Sequence, residues 1–102
     1  MTEPKECRIR CDAGPGMFTD EFVVRIRTLS PDGTIHLASS IVSGGSLKFD
    51  TRPKAGSYVE ATLRAYCMDS RQNLVSVILP QTTLENGPSV VVPKTDVVSG
   101  WD

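Results

Sequence analysis

Apolar and polar residues alternate along short stretches of this chain, and Gly, Pro, Asn and Asp fall between the stretches. In Phe22-Val23-Val24-Arg25-Ile26-Arg27, Phe22, Val24 and Ile26 lie on one side and Arg25 and Arg27 on the other. Successive side chains of a strand point to opposite faces, so a period of two predicts strands with one buried face. Lys5 to Asp12 is read as a first strand, with Cys7, Ile9 and Cys11 inward and Arg8 and Arg10 outward. Glu21 to Thr28 is the second. In Thr34 to Val42, Ile35, Leu37 and Ile41 oppose His36 and Ser40, and the apolar set is assigned to the interior. Leu47 to Asp50, Leu74 to Leu79, Gln81 to Thr83 and Ser89 to Val92 supply further extended pieces.

Turn chemistry separates these pieces. Asp12-Ala13-Gly14-Pro15-Gly16 is expected to be a loop, and so are Ser43-Gly44-Gly45-Ser46, Thr51 to Gly56 and Asp69 to Asn73. In Ser30-Pro31-Asp32-Gly33 the proline presets one corner and Asp-Gly supplies the permissive one. Asn86-Gly87 is a hairpin corner, although Pro88 directly after it disfavours the tightest form.

Ser57 to Met68 reads two ways. As a strand it puts Val59, Ala61, Leu63, Ala65 and Cys67 on one face and Tyr58, Glu60, Thr62, Arg64 and Tyr66 on the other. As a helix it makes a stripe of Val59, Leu63, Tyr66 and Cys67, with Ser57 and Glu60 as a capping box. Its place in a series of strands at regular spacing favours the strand. The fold class expected is therefore all-β, an antiparallel β-sandwich of about seven or eight strands, the number such spacing yields in roughly 100 residues. The domain is drawn over residues 1–93, with 94–102 as a C-terminal tail.

Leu47-Lys48-Phe49-Asp50, followed by Pro53-Lys54-Ala55-Gly56-Ser57-Tyr58-Val59-Glu60-Ala61, resembles a strand, turn and strand of transthyretin-like, carboxypeptidase-regulatory-like and related immunoglobulin-like sandwiches. The resemblance covers these fifteen or so residues. It implies that Gly56 bends the backbone and that Tyr58 caps the core. It also implies an accessory, adhesion or binding role, and no particular activity.

Size and charge narrow the function classes. The chain has 102 residues, with 11 basic and 12 acidic side chains. A domain of this length buries roughly 65% of its unfolded surface, enough for a core without staples or metals. Balanced charge favours neither nucleic acid nor an anionic membrane. The polar start, Met1 to Glu6, has no apolar signal-peptide region, and no apolar run approaches the roughly 20 residues of a membrane span. The expected compartment is cytoplasmic. The cysteines, Cys7, Cys11 and Cys67, are an odd set and are read chiefly as small buried hydrophobes. Four strand steps hold Cys7 and Cys11 about 13 Å apart, beyond the roughly 7 Å a disulfide allows. A bridge from Cys67 to either stays open.

Candidate chemistry is sparse. His36 is the single histidine, so any Ser-His or Cys-His nucleophile must use it. Ser40 lies four residues further along the same face, out of its reach. Cys7 and Cys11 have no following Cys or His pair to complete a zinc site. Asp12, Asp32 and Asp69 form no calcium-loop ladder. No catalytic residue, metal or cofactor is assigned.

Arginine offers more. Arg8, Arg10, Arg25, Arg27 and Arg64 project from outer strand faces and would tile one surface if their strands were neighbours. Guanidinium groups so placed grip carboxylates or phosphates through paired hydrogen bonds. No aromatic residues interleave with them to stack bases, which disfavours nucleic acid. Glu6, Glu21 and Glu60 would otherwise neutralise the face. Val23, Val90-Val91-Val92 and Val97-Val98 are apolar where a strand should be polar, which points to self-association as a homo-oligomer. The leading expectation is a non-enzymatic binding, structural or assembly module, with a protein partner or a second copy on its faces and edges. The alternative is a small hydrolase or transferase using His36 with a nearby Ser or Cys. A third class, a carbohydrate or Ca²⁺-dependent surface module, would need Trp101, Tyr58 or Tyr66 beside carboxylates.

Overall fold

The computed structural model describes residues 5–30, 32–83 and 87–99. Eight strands appear among them: β1 (Lys5–Pro15), β2 (Glu21–Leu29), β3 (Ile35–Ser43), β4 (Leu47–Lys48), β5 (Val59–Arg71), β6 (Leu74–Thr83), β7 (Gly87–Pro93) and β8 (Val97–Ser99). Short 3-10 turns at Gly44–Ser46 and Lys94–Asp96 precede β4 and β8. Every pairing is antiparallel. Ser57 to Met68 thus falls mostly in a strand, and Ala61, Leu63, Ala65 and Cys67 point into the core as the alternation predicted.

The strands form one continuous sheet, ordered β3-β2-β1-β5-β6-β7, with β4 added on β5 and β8 on β1. It curls into a half-barrel; two separate stacked sheets are not what the pairing makes. β1 and β5 run side by side from Lys5↔Cys67 to Ala13↔Val59 and act as a spine. From one end of the spine β2 and β3 depart, and from the other β6 and β7. The two flaps fold toward each other, β2 against β7 and β3 against β6. The core between them holds Ile9, Val24, Ile26, Leu63, Val75, Val77 and Val92, all virtually without exposure. Burying such aliphatic side chains contributes about 1.5 to 3 kcal/mol each.

Asp69 to Arg71 belongs to β5 rather than to a turn, and Pro80 lies within β6 rather than ending a strand. Two further expectations fail locally. Asp12 to Pro15 is strand, because it finds a partner in Phe22 to Arg25 and because Ala13 is wholly buried. The loop shrinks to residues 16–20, closed by hydrogen bonds from the Gly16 amide to the Glu21 carbonyl and from the Glu21 amide to the Phe18 carbonyl. The second failure is β3, whose orientation is the reverse of the expected one. Ala38, Ser40 and Val42 face the core, while Ile35, Leu37 and Ile41 face outward.

The β2–β3 hairpin explains the reversal. The Gly33 amide donates to the Ser30 carbonyl, the Ser30 amide donates to the Thr34 carbonyl, and Gly33 takes φ +87°. This closure locks Leu29 opposite Ile35 and Ile26 opposite Ala38. Opposite residues share a face, so the strongly apolar inner side of β2 drags Ala38, Ser40 and Val42 inward with it. Small side chains at 38 and 40 also suit the approach of β3 to β6. Pro31 itself lies outside the described residues, as do Met1 to Pro4, Leu84 to Asn86 and Trp101.

The segment after β7 is built into the sheet as far as Ser99. β8 pairs with β1 at Arg8↔Ser99 and Ile9↔Val97, beside the point where β2 parts from β1.

Candidate functional site

The outer, convex face of the sheet carries the distinctive residues. On β3, Ile35 is 53% exposed, Leu37 54% and Ile41 49%. Beside them on β2 are Leu29, opposite Ile35, and Val23, opposite Ile41, both partly buried. Arg27 lies directly opposite Leu37. Phe18, in the loop before β2, is also exposed and borders a hollow with Ile41 and Ser43. Three large aliphatic side chains stand in solvent on one nine-residue strand, an apolar row that Ser39, opposite Arg25, interrupts between Leu37 and Ile41. Soluble domains keep such bands small unless they contact something.

All five arginines singled out from the sequence reach this convex face. Arg8 stands opposite Arg64 in the β1–β5 ladder, and Arg25 opposite Asp12 in the β1–β2 ladder. Arg10, Arg25 and Arg27 meet around a cleft of about 270 Å³, whose lining also includes Asp12, Glu60 and Leu37. Arg8 and Arg64 sit further along the spine.

Counter-charges accompany them. Arg64 reaches Glu6 at 3.6 Å and Arg10 reaches Glu60 at 4.0 Å, both exposed. Exposed pairs of this kind contribute about 0 to 1 kcal/mol. Arg27 donates from Nη2 to Asp96 Oδ1 at 2.5 Å, and that carboxylate is buried. Arg25 stacks over the Tyr58 ring, its Cζ 3.7 Å from the ring centre. Glu21, expected among the neutralising residues, lies at the other end of β2 opposite Ser43.

Two donors on this face stay unused. Arg8 Nη1 and Arg25 Nε are both shielded from solvent and have no acceptor among the described residues. A shielded N–H without an acceptor costs about 1 to 3 kcal/mol, more when charged.

Tyr58 does not cap the core. It is 44% exposed and lies on the convex face over Gly14, where a Cβ would stand 2.9 Å from its Cε1. Gly56, with φ +78°, makes the bend that the family resemblance implied. Tyr66 is also outward, opposite Glu6. Among the described residues no group of three or more His, Cys, Asp or Glu side chains could hold a metal ion.

His36, the second residue of β3, is exposed and within electrostatic reach of Asp32. The carbonyl of His36 accepts a hydrogen bond from Thr28 Oγ1. The cysteines are all buried, as expected, but two of them are joined. Cys7 and Cys67 form a disulfide across the β1–β5 pair, with Cα atoms 6.2 Å apart. Cys11 is free and buried, and burial, reinforced by the Asp12 charge, pushes its thiol up to about 12. A thiol so protonated is a poor nucleophile.

Alternation alone conceals the convex apolar row, because the side of β3 that it assigns to the interior is the more apolar one. Its signal was present in Ala38 and Val42, which extend the opposite face. No family model, curated protein or solved structure matches the chain. Among the described residues no helix is long and apolar enough to cross a membrane.

Proposed function

We propose that this chain is a non-enzymatic protein-binding module whose contact surface is the convex side of β3 and β2, flanked by the arginines of β1, β2 and β5. One observation carries the reading: β3 hides Ala38 and Ser40 and shows Ile35, Leu37 and Ile41. A strand that spends its larger apolar side chains on solvent departs from the pattern that stability alone favours, and such departures mark functional surfaces. An apolar centre bordered by arginine is also the composition that protein interfaces favour.

We read the curled sheet as a variant of the transthyretin-like or immunoglobulin-like sandwich, in which β1 and β5 are shared by both layers. The closure of β2 on β7 and of β3 on β6 supports this. Self-association belongs to the same proposal: of the valines that suggested it, Val23 and Val91 are partly buried on the outside, Val98 is half exposed, and Val90 and Val92 belong to the core.

A photo-crosslinking residue at position 37, in cells, tests the reading. A discrete adduct, with another protein or with a second copy, is expected from position 37 and is lost on Ile41→Asp. Lys54, exposed in the turn before β5, is the control position. Adducts that arise equally from positions 37 and 54, or from neither, would overturn the proposal.

A further inference from the structure

The convex cleft has a more specific chemistry than the apolar band beside it. β2 pairs with β1 only as far as Arg25↔Asp12, and Ile26 to Leu29 then run on without β1. The cleft opens at this parting and is lined by Arg10, Arg25, Arg27, Asp12, Glu60 and Leu37. Three guanidinium groups share the lining with two carboxylates, Asp12 and Glu60, and a third carboxylate, Asp96, pairs with Arg27 from outside the lining.

Two of the three are held in place before anything binds. Arg25 places its Cζ 3.7 Å from the centre of the Tyr58 ring, a cation–π contact that restrains the guanidinium. Its Nε is shielded from solvent and has no acceptor among the described residues, a charged donor left unused. Arg27 is pinned by the buried Asp96 through Nη2, while its side chain is 55% exposed and keeps further donors free. Arg10 touches Glu60 only at 4.0 Å, a contact loose enough to rearrange. A guanidinium held still loses little entropy when it grips an oxyanion.

Leu37 joins this cleft to the apolar band, because it lines the cleft and pairs across the hairpin with Arg27. We propose that the cleft receives the carboxylate of an acidic side chain on the bound protein, in a segment that also lays apolar side chains along Leu37 and Ile41. This rests on the protein-binding reading and names the partner's chemistry: an extended, acidic and apolar segment. In such a segment alternate side chains lie about 7 Å apart on one face, a step that suits adjacent polar and apolar subsites.

The test uses the whole chain and two probes, an acetylated Glu-Ser-Val-Ser-Val amide, which puts Glu and both Val on one face when extended, and its counterpart with Gln for Glu. Heteronuclear NMR follows the Arg25 Nε–Hε resonance and the Leu37 and Ile41 amides. The Glu peptide is expected to move all three saturably and to bind at least about fivefold tighter than the Gln peptide at low salt. Screening shrinks that advantage as salt rises. Arg25→Lys, which keeps the charge and loses the planar donor, should abolish the advantage of the Glu peptide over the Gln peptide. Equal binding of the two peptides at Leu37 and Ile41 would overturn the carboxylate site and leave the apolar surface standing. No response to either peptide at these amides would count against both. A shift of Arg25 Nε–Hε by inorganic phosphate, with none by the Glu peptide, would identify a free-anion site and overturn the proposal.

Discussion

Arg27 and Asp96, 69 positions apart in sequence, meet at 2.5 Å where β2 leaves β1 and the Lys94–Asp96 turn leads into β8. The pair is lopsided: the arginine side chain is more than half exposed and the aspartate is buried. Removing one partner does not mirror removing the other. Arg27→Ala strands an unpaired carboxylate in the protein and should cost about 2 to 4 kcal/mol, toward the range for broken buried pairs. Asp96→Ala leaves a guanidinium that water can solvate and should cost about 1 kcal/mol. Urea unfolding of the two variants checks the ordering, and equal losses would contradict the burial of Asp96.

The reversed strand β3 makes a paired prediction. Leu37→Ser removes an exposed side chain and should change stability by no more than about 0.5 kcal/mol. Its neighbour Ala38 is fully buried, so Ala38→Leu forces extra volume into the core and should cost about 1 to 3 kcal/mol. Had β3 the orientation that its apolar residues first suggest, the two effects would exchange. Thermal unfolding of both variants separates these outcomes.

Strands with one dominant apolar side were legible. In β1, β2 and β5 the alternation named the buried set, because in each the inner face is the more apolar one. In β3 both sides carry apolar residues, and the decision passes to the hairpin register, where Ile26 opposite Ala38 outranks the local composition. Periodicity also stays silent on β8, since three residues after a 3-10 turn hold too little pattern. The convex arginines were legible residue by residue. Their cleft was not, because it depends on β2 and β1 parting after Arg25↔Asp12, a non-local event. The partner of Cys67 stayed open for the same reason: it follows from Lys5↔Cys67 and Cys7↔Ala65, a pairing of segments about 60 positions apart.

That bond supports a prediction of its own. A cross-link spanning 60 positions restricts the unfolded chain, and loops of that size correspond to about 4 kcal/mol at most in the chain-entropy account. Replacing Cys7 and Cys67 together by Ala should lower stability by about 2 to 4 kcal/mol. A thiol reagent should find no reactive group in the folded protein, one in the unfolded protein, and three after reduction.

Gly14 and Tyr58 offer a gentler probe of the convex face. A methyl at position 14 would stand 2.9 to 3.1 Å from three atoms of the Tyr58 ring. The ring is half in solvent and can swing away, so Gly14→Ala should cost no more than about 1 kcal/mol. It should nevertheless part Tyr58 from Arg25, since the ring cannot keep both its place under the guanidinium and clear the methyl. Loss of the aromatic ring-current shift on the Arg25 side-chain protons, with the fold retained, is the expected observation.

Cys11 links the core to alkaline pH. Its thiol is held at about 12 in the folded protein, against an ordinary value of 9.0, chiefly by burial and secondarily by the Asp12 charge. The folded value is the raised one, so the unfolded chain gives up its proton first. The contribution is fully present below pH 9 and drains away as pH climbs toward 12. Cys11→Ala removes this titration at the expense of a small loss of packing. Across pH 9 to 11 the stability of the original protein should therefore fall more steeply than that of the variant. Parallel pH profiles of urea unfolding for the two proteins would show that the thiol ionises equally readily in both states, and would place Cys11 in contact with solvent.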